Sequence, residues 1–263
     1  MSRSLSIAAT GMTAQQVNVE VIANNIANLN TSGFKRQRAE FQDLLYQVRG
    51  MAVGSQSSQE GTIVPTGILL GSGVRPAGIY RIHAQGSLIG TENSLDLAIQ
   101  GKGYFQVLLP NGQTAYSRAG NFALSPTAQI VTADGYTVQP GITIPNNAIA
   151  VTINSSGQVI AKIDGVVAPS TVGQIQLAVF SNEGGLEAIG NNLFLESPAS
   201  GAATTGNPGA VGFGTLLQGY VESSNVNAVE EITSLITAQR AYEMLARVIE
   251  TADQMWASLT RLS

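Results

Sequence analysis

The chain has one histidine, His83, in the run Tyr80-Arg81-Ile82-His83, and it is the first residue that could move a proton. General-base chemistry also needs a positioned nucleophile and a carboxylate to orient the imidazole. No such motif surrounds His83, which therefore reads as structural. There is no cysteine, so thiol nucleophiles are absent, and with a single histidine most zinc-ligand sets are absent too. The carboxylates of Asp96, Asp134, Asp164 and Glu183 would have to converge in space to form the acid pair of a glycoside hydrolase, and nothing in their spacing points that way. Gly71-Ser72-Gly73 and Gly101-Lys102-Gly103 invite a phosphate-binding reading. Neither completes G-x-G-x-x-G or a P-loop, and both read as turns where glycine supplies a positive φ. No catalytic residue, cofactor or metal site is assigned.

Lys35-Arg36-Gln37-Arg38 is the one basic cluster. Three charges are too few to hold a nucleic acid or a lipid surface durably. The expectation is a salt bridge to a neighbouring subunit, or simple solvation. With 13 Lys and Arg against 17 Asp and Glu, the net charge of -4 also argues against a nucleic-acid partner.

At 263 residues the chain makes one large domain or two small ones. Only 11% of residues are charged against 44% hydrophobic, so much of the surface is uncharged Asn, Gln, Ser and Thr, suited to packing against other protein. No run is long and apolar enough to span a membrane. Met1-Ser2-Arg3-Ser4-Leu5 does not open a secretory signal peptide, which reads by default as cytoplasmic and leaves signal-free export open.

Leu5, Ala8, Met12, Gln15, Val19, Ile22, Ile26 and Leu29 follow one another at alternating steps of three and four, the pattern of a helical seam. Between Ser4 and Leu29 the only charge is Glu20, so the remaining faces are also fit for contact. Near the other end, Asn227 and Glu230 form a variant capping box. From there Ile232, Leu235, Ile236, Tyr242, Leu245, Ile249, Ala252, Trp256 and Leu259 make a second apolar stripe, with Glu243 and Arg247 spaced for an ion pair. Each helix is the simplest partner for the other. Pattern alone leaves open whether they close a hairpin within one chain or pack between chains.

Between the helices the pattern turns to β. Leu95–Ile99, Tyr104–Leu109, Gln113–Arg118, Gln129–Thr132, Tyr136–Gln139, Ala150–Ile153, Gln158–Ile163 and Gln174–Phe180 read as strands, punctuated by Asn111-Gly112, Asp134-Gly135, Pro145-Asn146 and Ser156-Gly157. The fold class expected is α+β: two long terminal helices packed as a coiled-coil-like layer, with a central antiparallel sandwich or partial barrel. The expected division is a helical core from 1–30 and 227–263, connecting segments 31–94 and 212–226, and a β domain with trailing linker over 95–211. Gly50–Gly67 and Ser197–Gly214 read as long loops.

Four runs carry a resemblance. Ala23-Asn24-Asn25-Ile26-Ala27-Asn28-Leu29-Asn30-Thr31-Ser32-Gly33-Phe34-Lys35 is similar to the N-terminal signature of the bacterial flagellar rod and hook proteins. Gln218-Gly219-Tyr220-Val221-Glu222-Ser223-Ser224-Asn225-Val226-Asn227 and Gln239-Arg240-Ala241-Tyr242-Glu243 resemble their C-terminal signature. Leu95 to Phe105 resembles the opening strand of their β domain. The motif residues are Asn24, Asn25, Asn28, Gly33, Phe34, Asn225, Asn227, Gln239, Arg240 and Tyr242. Length, the Lys35–Tyr46 run and the Gly50–Gly67 insertion most resemble the distal-rod members, with a hook or proximal-rod member as the alternative.

The resemblance implies a structural subunit and no enzyme. It implies signal-free type III export through the flagellar export apparatus, then polymerisation into a helical tube in the basal body. The implied partners are further copies of the chain, the proximal rod proteins, the hook protein, and the ring proteins in peptidoglycan and outer membrane. On this reading the polymer core is built by Leu5, Met12, Val19, Ile22 and Ile26 with Ile232, Leu235, Tyr242, Ile249 and Trp256. Gly50–Gly67 is expected to wedge between subunits and hold the shaft straight. An adhesin or tail-like module and a wall hydrolase are the competing classes. The first should lack the paired terminal signatures, and the second needs a convergent acid pair in a cleft.

Overall fold

The computed structural model describes residues 3–48, 69–165 and 168–262. The Gly50–Gly67 insertion lies outside them. Two compact units emerge, one from residues 1–26, 37–80 and 228–263, the other from 27–36 and 81–227. The whole is α+β, with helices at both ends and a β-rich middle whose strands close no barrel.

The first unit contains α1 (Arg3–Ala27) and α2 (Ala228–Leu262). Glu230 and Glu231 lie in the first turn of α2, where the helix dipole favours negative charge. The helices run antiparallel. A methyl group placed on Gly11 would lie 3.0 Å from the Leu245 side chain, and Asn25 Nδ2 donates to Glu231 Oε2 at 3.2 Å.

The contact is built mostly of small and polar residues. Ala8, Ala14, Val21, Ile22 and Asn25 are buried on α1, and Glu231, Ala238 and Ala252 on α2. Glu231, Ala238, Leu245 and Ala252 recur every seventh residue. The seam is therefore rotated from the expected one. Small residues allow the backbones to approach closely, which turns Leu5, Met12, Val19 and Ile26 toward the flank, where they are only half-buried.

The same unit carries β1 (Gln37–Asp43), β2 (Tyr46–Val48), β3 (Leu69–Gly71) and β4 (Val74–Arg81). β1 pairs with β4 and β2 with β3. Asn25 fastens β1 to α1: its Nδ2 donates to the Gln37 carbonyl at 2.8 Å, and its Oδ1 accepts the Gln37 N–H at 2.9 Å.

In the second unit the largest sheet runs Glu187–Gly190, Leu193–Leu195, Thr114–Ser117, Tyr104–Leu108, Thr137–Val138, Ile130–Thr132, Phe122–Leu124 in spatial order, and Leu177–Val179 also pairs with Tyr104–Leu108. Ala148–Ile153, Gln158–Ile163 and Ser170–Gln174 form a three-stranded sheet. The hairpin turns fall where the sequence places them, with Gly112, Gly135 and Gly157 at φ of 83°, 84° and 85°. Leu97, Ile99, Phe105, Val159, Leu177 and Leu216 belong to the main core, where Phe105 meets Phe122 edge to face at 5.0 Å.

Ser197–Gly214 is not the featureless loop expected. Thr204–Gly206 forms a strand against Leu177–Val179, because the two β-branched threonines suit an edge strand. The last segments before α2 also return to the sheets. Thr215–Gln218 pairs with Leu97–Gln100, and Tyr220–Glu222 with Leu88–Gly90.

Candidate functional site

Two regions hold the residues singled out by the sequence. One is a buried charge cluster in the second unit. Gly33 has φ +70°, and a Cβ there would meet the Ala119 nitrogen at 2.6 Å, so only glycine lets the chain pass. Its N–H donates to the Glu222 carbonyl at 2.8 Å, which brings Lys35 alongside the Glu222 side chain.

Lys35 Nζ donates to Glu222 Oε1 at 2.6 Å and to the Ala84 carbonyl at 2.9 Å, and both partners' side chains are almost fully buried. Arg118 donates to Glu222 Oε2 through Nε at 2.9 Å and approaches it through Nη2 at 2.8 Å. Gly86 N–H adds a further donor to Oε1 at 2.9 Å. Two cations thus share one anion. The surplus positive charge is answered by carbonyl dipoles, with Arg118 Nη1 bound to Gly101 O at 2.9 Å and Gly103 O at 2.6 Å.

Burial lowers the Lys35 pKa and the Glu222 charge opposes that shift. The expectation of a solvated or intersubunit Lys35 is corrected: it is 2% exposed and paired within its own chain. The 101–103 turn presents carbonyls to a cation, the reverse of a phosphate cradle.

Asn225 clamps the same junction. Its Oδ1 accepts the Arg36 N–H at 2.7 Å, and its Nδ2 donates to Ile82 O at 2.8 Å and Ala84 O at 2.9 Å. Asn28 Oδ1 accepts from the Thr31 hydroxyl at 3.2 Å in the turn that follows α1. Phe34 is half-buried nearby in sequence, Asn227 directly precedes α2, and Asn24, Gln239 and Arg240 are exposed.

The second region is the flank of the helical pair. Leu5, Met12, Val19 and Ile26 lie seven residues apart on α1, as do Leu235, Tyr242, Ile249 and Trp256 on α2. Of the ten expected core residues only Ile22 is buried in the single chain. Ile232, Tyr242 and Trp256 are 49%, 41% and 51% exposed. Val19 and Tyr242 meet in a groove of about 360 Å³ rimmed by Gln16, Glu20, Gln239 and Glu243. A second groove is lined by Gln15, Asn18, Thr233, Ser234, Thr237, Ala238 and Ala241.

His83 has a structural setting. Tyr104 hydroxyl donates to Glu183 Oε2 at 3.3 Å, so its oxygen is left to accept from His83 Nδ1, 2.8 Å away. Burial first, then Lys35, Arg81 and Arg118, pushes the His83 pKa down to about 4, while burial and Glu183 raise that of Tyr104. A neutral imidazole beside a phenol that resists ionisation supplies no activated nucleophile. The four candidate carboxylates are scattered. Asp96 accepts from Asn93, Glu183 serves Tyr104, and Asp134 and Asp164 lie in separate turns. Among the described residues no cluster is suited to a metal ion, and no helix is long and apolar enough to cross a membrane.

Comparison with known proteins matches three parts of the chain to family descriptions. Residues 5–35 match "Flagella basal body rod protein", 98–161 "Flagellar hook protein FlgE/F/G D1 domain" and 217–262 "Flagellar basal body rod FlgEFG protein C-terminal". Among curated relatives, the flagellar basal-body rod protein FlgG of Caulobacter vibrioides is 65% identical over 99% of both chains. The FlgG proteins of Agrobacterium fabrum and Bacillus subtilis are 53% identical over 96% of both chains and 38% identical over 100% of this chain and 99% of theirs.

Proposed function

The chain belongs to the flagellar basal-body rod family, and from that premise we propose that it is a structural subunit of the distal rod. It polymerises into a rigid helical tube that carries motor torque to the hook, and it catalyses no reaction. The observation that carries this reading is the pair of seven-residue apolar stripes left half-exposed along the helical pair. A single chain leaves these stripes wet. Neighbouring copies would cover them, and a head-to-tail contact that does not close on itself extends into a filament. Interiors packed as densely as organic crystals then supply the stiffness of a shaft.

On this proposal Leu5, Met12, Val19, Ile22 and Ile26 pack with Ile232, Leu235, Tyr242, Ile249 and Trp256 across subunits. The β-rich unit forms the outer wall, facing the rings. The proximal rod, the hook and the export apparatus complete the set of partners, and the subunit reaches the periplasm by signal-free export. The test is Val19→Asp, which places an unpaired charge in the intersubunit contact. It should abolish rod assembly while the purified monomer retains its fold by circular dichroism. Rods of normal length and number from that variant would refute the assignment of the stripe.

A further inference from the structure

The two helices differ in length, and their register says where the difference falls. Gly11 faces Leu245 and Asn25 faces Glu231, so α1 and α2 descend past one another residue for residue. Continued to Arg3, the first described residue of α1, that register reaches α2 near Asp253. Among the residues of α2 whose burial is described, Ala252 is the last buried one, at 2% exposure. From Gln254 to Leu262, about 13 Å at 1.5 Å per residue, α2 runs past Arg3, and this stretch is the α2 overhang.

The overhang is apolar where it matters. Met255 and Trp256 are 60% and 51% exposed, and Trp256 continues the spacing of Leu235, Tyr242 and Ile249 into the stretch past Arg3. The groove between Val19 and Tyr242 is the complementary feature. An apolar cavity of about 150 Å³ accommodates benzene, so about 360 Å³ has room for an indole. Its rim carries the carboxylates Glu20 and Glu243, whereas the sequence after Asp253 holds a single charge, Arg261. The charges therefore favour this helix end over an acidic occupant.

We propose that the occupant of the Val19–Tyr242 groove is the α2 overhang of a second copy of this chain, with Trp256 as the seated side chain. The inference rests on the polymer reading above and adds which surface meets which. Donor and acceptor are different patches, so each bound copy presents a fresh groove and a fresh overhang.

Absence of cysteine from the chain gives a clean test. In one subunit positions 19 and 256 are separated by about 28 Å along the helices, counting from residue 237 opposite Val19, so a disulfide between them must join two copies. V19C and W256C are expressed together in a flagellated host lacking its own copy of the subunit, and isolated basal bodies are oxidised. A G11C/L245C variant serves as the intrachain control for oxidation.

The expected result is a dimer linked between positions 19 and 256, at least tenfold more abundant than dimers from either variant alone. Rods that assemble and oxidise at the control pair without the 19–256 link overturn the proposal and leave the polymer reading intact. The same holds if W256A, with an unchanged monomer melt, builds as many rods as W256F. Basal bodies in which the unmodified chain forms no polymer would overturn both.

Discussion

The buried charge cluster and the flank of the helical pair are held by opposite means. Around Glu222 every strong charge has found its partners within one chain: Lys35, Arg118, the Gly86 N–H and three backbone carbonyls. Along the helices the contact is made by Ala8, Gly11, Ala14 and Ala238, while Tyr242, Met255 and Trp256 face water. The first region is complete in the monomer, whereas the second, on the proposed polymer reading, is completed by other copies. Directional, desolvated bonds suit a junction that must form one way. Undirected apolar area suits a surface that waits for a partner.

Four measurements test the contrast. Glu222→Ala should have the largest effect on the isolated chain, because it strands two buried cations. A loss of about 3–5 kcal/mol in denaturant unfolding is expected, and a loss below about 1 kcal/mol would mean that water reaches the cluster. His83 comes second. Its folded pKa of about 4 lies below the ordinary 6.5, so the stabilisation is intact above pH 6.5 and is lost as pH falls from 6.5 toward 4. The unfolding free energy should decline across that window by no more than about 1.4 kcal/mol per pH unit, and His83→Gln should flatten the decline. If the variant keeps the same slope, the titrating group lies elsewhere.

Asn225→Ala removes three hydrogen bonds at the junction and is expected to destabilise by about 1–3 kcal/mol in the same unfolding assay. Trp256→Ala closes the series. Half-exposed, it should shift monomer stability by under about 0.5 kcal/mol. A larger shift would place Trp256 in the monomer's own packing and erase the contrast.

Much of this was legible in the residues. The steps of three and four gave both helices, Asn111-Gly112 and Ser156-Gly157 gave hairpins, and the asparagine-rich runs carried the family. The cluster was not legible, because Lys35 and Glu222 lie 187 residues apart and Arg118 sits 104 from Glu222, and spacing carries no information about such pairings. Lys35 looked like part of a solvated run until the turn at Gly33 aimed it inward. The helical seam was misplaced for a different reason. Large apolar residues dominate any periodic reading, yet Gly11 and Ala14 decide how near the backbones come.

The Lys35–Glu222 pair also sets an order of events. A chain synthesised from its N-terminus exposes Lys35 long before its carboxylate partner exists. Nearly all of the β strands precede Glu222 and can form from local pairings meanwhile, while the ion pair must await closure of a 187-residue loop. The junction therefore acts as a completion check. Lys35 stays without its carboxylate until the segment leading directly into α2 has arrived, so a truncated or stalled chain leaves the junction unmade.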